Sequence, residues 1–268
     1  MPFFTTPTDN ISIFYTTNGS SSAPPILLIH GWCCDSHDWS WQIPFLSQTY
    51  HVIAMDLRGH GRSSAPESVE YSPKGFIVDA ASLLRHLGFN QNVIIIGHSM
   101  GGVTASAFAV LEPGLVKAIV LVDPPYWRAN EFADAVLPQI RGHPAIEDWC
   151  IEPYSALIAP NTPEWMKMWY IRRLLGTPRH VISKCLEGLL AEGKLGREEV
   201  CRKFVEGRKC PRYVVYIEED TAEKEKSLGM GTLDEVVLMK GVGHWPHQAK
   251  SEEFNSMLGK WLNRLEEN

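Results

Sequence analysis

Short unbroken apolar runs recur along the chain, and most close on a glycine, an aspartate or a histidine. They are Pro25–His30, Val52–Asp56, Val93–Ile96 before Gly97, Lys117–Asp123, Pro211–Ile217 and Val236–Met239. Runs of this length, apolar at nearly every position, read as strands buried on both faces. Ile11 to Tyr15 instead alternates and reads as an early strand. Between the runs the period changes to that of a helix. Ser72-Pro73 opens one as N-cap and first-turn proline; Phe76, Ile77, Ala80, Leu83, Leu84 and Leu87 recur at helical spacing, and Gly88 stops it. Val103 to Leu111 is a second helix, Thr221 to Leu228 a short charged one, and Ser251 onward a last amphipathic one carrying Phe254, Leu258, Trp261 and Leu262.

Buried strands alternating with helices predict an α/β domain, a mostly parallel sheet with helices on both faces. The alternation breaks once. From Tyr126 to about Cys210 there is no strand-like run, and the spacing predicts helices at Glu131–Ile140, Ile146–Leu157, Pro163–Leu175, Arg179–Ala191 and near Arg197–Glu206. The expected organisation is a core built from residues 1–125 and 211–268, with residues 126–210 as a helical cap inserted between two strands. Ligands in such sheets bind beyond the carboxyl ends of the strands. His30, the loop after Asp56, Ser99, Asp123, Asp220 and His244 all fall at those ends.

One junction carries chemistry by itself. Val93–Ile96 runs through Gly97-His98-Ser99-Met100-Gly101-Gly102 into a helix. The pattern Gly97-x-Ser99-x-Gly101 between strand and helix is a nucleophile elbow. The serine is forced into a sparsely populated backbone conformation, so its neighbours must be small. Its hydroxyl is exposed at the positive end of the helix, and the N–H of Met100 points where an oxyanion would form.

Composition narrows the class without choosing the substrate. The chain has 268 residues, 44% hydrophobic and 21% charged, ordinary for a globular protein. A net charge of −6 gives no reason to expect a nucleic-acid partner. No run is long enough to span a bilayer, and residues 1–7 lack a basic, then apolar leader, so no membrane association and a cytoplasmic location are expected. Six cysteines without a spaced framework read as free thiols. The sequence does not give the oligomeric state.

His30-Gly31-Trp32, Asp56-Leu57-Arg58-Gly59-His60-Gly61-Arg62-Ser63, Gly97-His98-Ser99-Met100-Gly101-Gly102 and Gly241-Val242-Gly243-His244 together resemble the α/β-hydrolase family over nearly the whole chain. Within it the chain looks most like the capped single-domain hydrolases: esterases, lactonases, carbon–carbon hydrolases, epoxide hydrolases and cofactor-free haloperoxidases. The resemblance implies an eight-stranded type of sheet, Ser99 as nucleophile, His244 as general base, and an oxyanion hole from the backbone N–H groups of Trp32 and Met100. Epoxide hydrolases and haloalkane dehalogenases of this family use aspartate as nucleophile. A serine there would be alkylated to a stable ether, so Ser99 favours acyl transfer.

His247 is the rival base. Chain order favours Asp220 as the triad acid, with Glu218, Glu219 and Asp123 as alternatives. His98 is expected to pack beneath the elbow, and His247 to lie at the surface or behind the site. Arg58 and Arg62 are expected to fasten their loop through carboxylates. Cys33 in the loop after His30, and Trp127, Trp165 and Trp169 of the cap, are the candidate substrate-pocket residues. Adjacent Cys33 and Cys34 suit a tetrahedral metal poorly, so no metal and no cofactor are expected. The expected activity is hydrolysis of an ester or lactone of a small, bulky, apolar molecule. Carbon–carbon cleavage of a diketone, perhydrolysis and a non-catalytic binding role remain open.

Overall fold

The computed structural model describes residues 2–127 and 129–268. Eight strands form one sheet in the order β1-β2-β4-β3-β5-β6-β7-β8. At its edge, β1 (Phe3–Thr5) and β2 (Ser12–Asn18) run antiparallel to each other, and β2 runs antiparallel to β4. The remaining neighbours are parallel: β3 (Pro25–Ile29), β4 (His51–Met55), β5 (Val93–His98), β6 (Val116–Val122), β7 (Arg212–Tyr216) and β8 (Glu235–Leu238). β3, β4, β5 and β7 are buried throughout or nearly so, as their apolar runs predict. β1 was not legible in the sequence; three residues carry too little pattern to read.

Helices complete the layers. A short α1 (Ile43–Leu46) follows β3, α2 (Pro73–His86) follows β4, and α3 (Met100–Leu111) follows β5. The Ser72 hydroxyl caps α2 by accepting from the Gly75 N–H, with Pro73 in the first turn, as the sequence indicates. Between β6 and β7 come α4 (Asn130–Ile140), α5 (Ile146–Ser155), α6 (Glu164–Gly176), α7 (Arg179–Leu190) and α8 (Glu198–Val205). Then α9 (Glu219–Lys226) precedes β8, and α10 (Pro246–Ala249) and α11 (Ser251–Glu266) close the chain.

The sheet divides the apolar interior. Leu27, Ile29, Ile53, Ile95, Ile119 and Leu121 pack under α2 and α3. Leu28, Ala54, Ile96 and Val120 face Phe254, Leu258, Trp261 and Leu262 of α11. This is the period-2 alternation of strands sandwiched between helices. The helices α4–α8 are tied to the loops at the carboxyl ends of the strands. The Trp32 indole N–H donates to the Ile182 carbonyl of α7 at 3.2 Å, and the His244 N–H donates to the Leu157 carbonyl at 2.9 Å. No described helix is long and apolar enough to cross a membrane.

Candidate active site

Strand register decides which residues meet. In the parallel pair β5–β6, Gly97 stands beside Leu121 and His98 beside Val122. The next residues, Ser99 and Asp123, therefore leave the sheet side by side. The Ser99 N–H donates to the Val122 carbonyl at 2.9 Å, and the Asp123 N–H donates to the Val215 carbonyl of β7 at 2.7 Å. Both residues hold positive φ, +54° and +44°, a strained conformation that turns their side chains out of the strand direction.

The elbow is packed too tightly for larger neighbours. A Cβ on Gly97 would lie 2.1 Å from the Gly101 carbonyl oxygen, and one on Gly101 would lie 2.3 Å from the Ile29 carbonyl oxygen. The Ser99 hydroxyl donates to His244 Nε2 at 2.7 Å, and His244 Nδ1–H donates to Asp123 Oδ2 at 2.6 Å. The result is an unbroken chain from hydroxyl to imidazole to carboxylate. The imidazole and the carboxylate are each 12% exposed, so water screens the pair little. Ser99 is 8% exposed overall.

Asp220, the acid favoured by chain order, is not in this chain. Its side chain is 78% exposed on the first turn of α9 and pairs with Lys224 at 3.1 Å. The physical reason is strand order. β7 is one strand farther from β5 than β6 is, and after Tyr216 the chain turns directly into a helix that leaves Asp220 on the exposed side of the cavity beside Asp123 and His244, out of contact with the imidazole. Glu219 pairs with Lys240. Asp123, the alternative after β6, makes the contact.

Met100 is the first residue of α3, so its N–H has no intrahelical acceptor and stays available beside Ser99. The loop after β3 comes close on the other side: a Cβ on Gly31 would lie 3.1 Å from the Ser99 Cβ. His30 fastens that loop. Its Nδ1–H donates to the Gly31 carbonyl at 2.8 Å, and Nε2 accepts from the Leu57 N–H at 2.9 Å. Burial lowers the His30 pKa, consistent with this neutral, one-donor ring. Arg58 forms a two-point pair with Asp79 at 2.6 and 2.7 Å and reaches Asp9 at 3.0 Å, and Arg62 lies 3.4 Å from Asp56, so both arginines fasten their loop as expected.

The pocket residues read from sequence separate. Trp127 is buried, donates its indole N–H to the Tyr216 hydroxyl at 3.3 Å, and lines a cavity of about 690 Å³ beside Asp123 and His244. Leu157, Ile217 and Lys224 line the same cavity. Trp169 stacks on Tyr170 and carries the Arg173 guanidinium 4.2 Å over its ring, at a separate surface cavity of about 410 Å³. Trp165 is 62% exposed on the outer face of α6, because the apolar spacing of that helix turns Met166 and Tyr170 inward instead. Cys33 is wholly buried, with Thr177 and Cys185 against its thiol, and does not line either cavity. Burial pushes that thiol well above its usual range, which keeps it an inert SH.

A buried polar cluster lies behind the site, with His98 beneath the elbow as expected. Asp38, from the 3₁₀ turn Ser36–Trp39, accepts from Gln248 at 2.8 Å and from Arg173 at 3.1 Å, and faces His98 Nδ1 at 2.8 Å. His247, read as a surface or rear residue, is fully buried, 3.7 Å from the same carboxylate. His98 belongs to the elbow, but no local motif marks Asp38, Arg173 or Gln248, which come from three other segments. Cys34, Asp38 and His98 bring possible ligand atoms within 4.8 Å of one another. Asp38 Oδ1 is already engaged by the Arg173 guanidinium and the Gln248 amide, and Oδ2 by His98, so this set is a poor cation site.

Comparison with known proteins bears on the fold. Residues 24–148 match the family model described as the alpha/beta hydrolase fold. The chain is similar to Epoxide hydrolase 3 of Xenopus tropicalis, 33% identical over 128 residues, which are 47% of this chain and 34% of that protein. It is 31% identical over 178 residues to Serine hydrolase-like protein 2 of Homo sapiens, covering 65% of this chain and 54% of that protein. The chain thus spans from about a third to about half of these curated relatives. Among solved structures, a thermophilic esterase from Thermogutta terrifontis superposes with a TM-score of 0.82 at 22% identity, over 98% of each chain.

Proposed function

We propose that this chain, which has the alpha/beta hydrolase fold, is a serine hydrolase cleaving an ester or lactone of a small molecule with a bulky apolar group. The observation that carries the proposal is the continuous chain Ser99–His244–Asp123 at 2.7 and 2.6 Å. A serine hydroxyl is a weak nucleophile until a base takes its proton as it attacks. His244 Nε2 is placed to take it. Asp123 holds the other nitrogen protonated, which fixes the tautomer and stabilises the imidazolium that forms.

Attack converts the ester carbonyl into a tetrahedral oxyanion. The N–H groups of Met100 and Trp32 are the proposed donors for that charge. His244 then passes its proton to the leaving alcohol oxygen and the acyl group stays on Ser99. In the second half His244 deprotonates a water, which attacks the acyl-enzyme and releases the acid. Every step uses side chains and backbone of this chain, so we propose no cofactor.

The helices α4–α8 act in this reading as a cap that selects substrate, since Leu157 and Trp127 line the cavity against Asp123 and His244. Pockets of this kind discriminate by shape and by about 0.8 kcal/mol per buried methylene. The six free cysteines support work in a reducing compartment such as the cytoplasm. The test is turnover of nitrophenyl esters of increasing acyl size by wild type and Ser99→Ala. The expected result is hydrolysis by wild type and a loss on the order of a millionfold in the variant. Equal turnover by folded Ser99→Ala would remove the serine-hydrolase reading, and cleavage of diketones in place of esters and lactones would move it to carbon–carbon hydrolysis.

A further inference from the structure

His244 is held at both ends of its own residue. Its N–H donates to the Leu157 carbonyl at 2.9 Å, and its carbonyl oxygen lies 2.8 Å from His98 Nε2. His98 is fully buried, immediately before Ser99, and its other nitrogen faces Asp38 Oδ2 at 2.8 Å. Asp38 is equally buried and is fixed in turn by Arg173 of α6 and by Gln248 of α10, whose side-chain oxygen accepts from the Tyr170 hydroxyl at 2.8 Å.

The ring of His98 therefore meets two acceptors, a carboxylate oxygen and a peptide oxygen. A neutral imidazole has only one N–H. With a carboxylate on one side, the neutral ring would aim a bare lone pair at the other oxygen from 2.8 Å, in a site sealed from water. The contacts are satisfied together only if the Asp38–His98 pair holds one proton more than a carboxylate beside a neutral ring. Burial works against that proton and lowers His98 to about 4 in spite of the opposing pull of the Asp38 carboxylate, so the ground for a proton on Nε2 is the pair of 2.8 Å oxygen contacts. The same carboxylate fixes the orientation of the ring.

We propose that His98 is a positioning residue for His244: its Nε2–H donates to the His244 carbonyl, Asp38 holds His98 in place, and Arg173 and Tyr170 make α6 part of the same support. The imidazole of His244 must stay within hydrogen-bond reach of both Ser99 and Asp123, and the backbone from which it hangs has two hydrogen-bonded anchors. One comes from the segment after α5 and the other from the residue next to the nucleophile. Losing the His98 anchor frees the carbonyl end. A misplacement of about 1 Å at a reacting group costs on the order of a hundredfold in rate. The proposal rests on the serine-hydrolase reading, and its test separates the two.

The test is the rate at which a fluorophosphonate labels Ser99 in wild type, His98→Phe and His98→Gln, each checked for folding by circular dichroism. His98→Phe keeps a ring and loses both donors; His98→Gln loses the ring and keeps an amide N–H. Labelling of His98→Phe should be slower on the order of a hundredfold. His98→Gln should recover at least about tenfold of that, roughly the worth of one hydrogen bond. A purely space-filling role predicts the opposite order. If His98→Phe labels like wild type, or His98→Gln is no faster than His98→Phe, the proposal is overturned. Failure of wild type itself to label would instead remove the serine-hydrolase reading. A second measurement needs no variant of the site: nitrogen–proton correlation spectra of the histidine rings in wild type should show a proton on His98 Nε2, and a bare Nε2 would overturn the proposal.

Discussion

Replacing Asp123 by asparagine should disable the proposed enzyme while leaving it folded. The carboxylate lies 2.6 Å from His244 Nδ1, and both groups are largely withdrawn from water. An imidazolium and a carboxylate with charge centres about 4 Å apart attract by about 4 kcal/mol at an effective dielectric of about 20. At 1.36 kcal/mol per tenfold, that is roughly a thousandfold in rate. The amide does further damage. Its NH₂ can donate to Nδ1, which moves the ring proton to Nε2 and points a donor at the Ser99 hydroxyl where an acceptor is needed. The combined loss should be on the order of ten-thousandfold in kcat. The assay is nitrophenyl ester turnover with a thermal melt of each protein, and Asp220→Asn serves as the comparison. Asp220 is solvent-exposed and pairs with Lys224 on the surface, so its variant should stay within about twofold of wild type. A folded Asp123→Asn protein within about tenfold of wild type, or an equal loss in Asp220→Asn, would refute the assignment of the acid.

Other consequences follow from packing and burial. Gly101→Ala should destabilise by at least about 3 kcal/mol, or fail to fold, because its Cβ would meet backbone of the neighbouring strand at 2.3 Å; an unshifted urea midpoint would contradict the close packing at the elbow. Trp165→Ala should change stability by no more than about 0.5 kcal/mol, whereas buried Trp127→Ala should cost about 3–5 kcal/mol, and equal shifts in melting would be inconsistent with their different burial. Burial, and then the neighbouring His30, lower the His60 pKa from the ordinary 6.5 to about 3. The unfolded chain therefore binds a proton on this ring first. Stability should fall as pH drops below about 6.5 and go on falling until about 3, by about 1.4 kcal/mol per pH unit for this ring. Urea unfolding between pH 7 and 4 should show a shallower slope in His60→Phe; an unchanged slope would mean that His60 is not the group involved.

The architecture was readable because each central strand is apolar on both faces, and only a sheet covered on both sides accepts such runs. The helices between Tyr126 and Cys210 were readable to within a residue or two at most of their ends for a similar reason: no apolar run of strand length interrupts their 3.6 period. Ser99 was legible because a strand, two glycines and a helix constrain it locally. Asp123 was not singled out, because the choice between β6 and β7 depends on which strand lies next to β5. That is a property of the assembled sheet. Trp165 shows the limit in another way. An aromatic side chain looks like a pocket or core residue in sequence, yet the rotation of α6 leaves it in solvent. Asp38, Arg173 and Gln248 converge on His98 from distant segments and carry no motif at all.

The central claim is that Ser99 is the nucleophile of a serine hydrolase. Its most direct measurement is reaction of the purified protein with a fluorophosphonate, followed by digestion and mass spectrometry. One adduct per chain is expected, on Ser99, with ester turnover lost in proportion to the fraction labelled. Turnover that survives complete labelling of Ser99, or an inactivating adduct on any other residue, would contradict it.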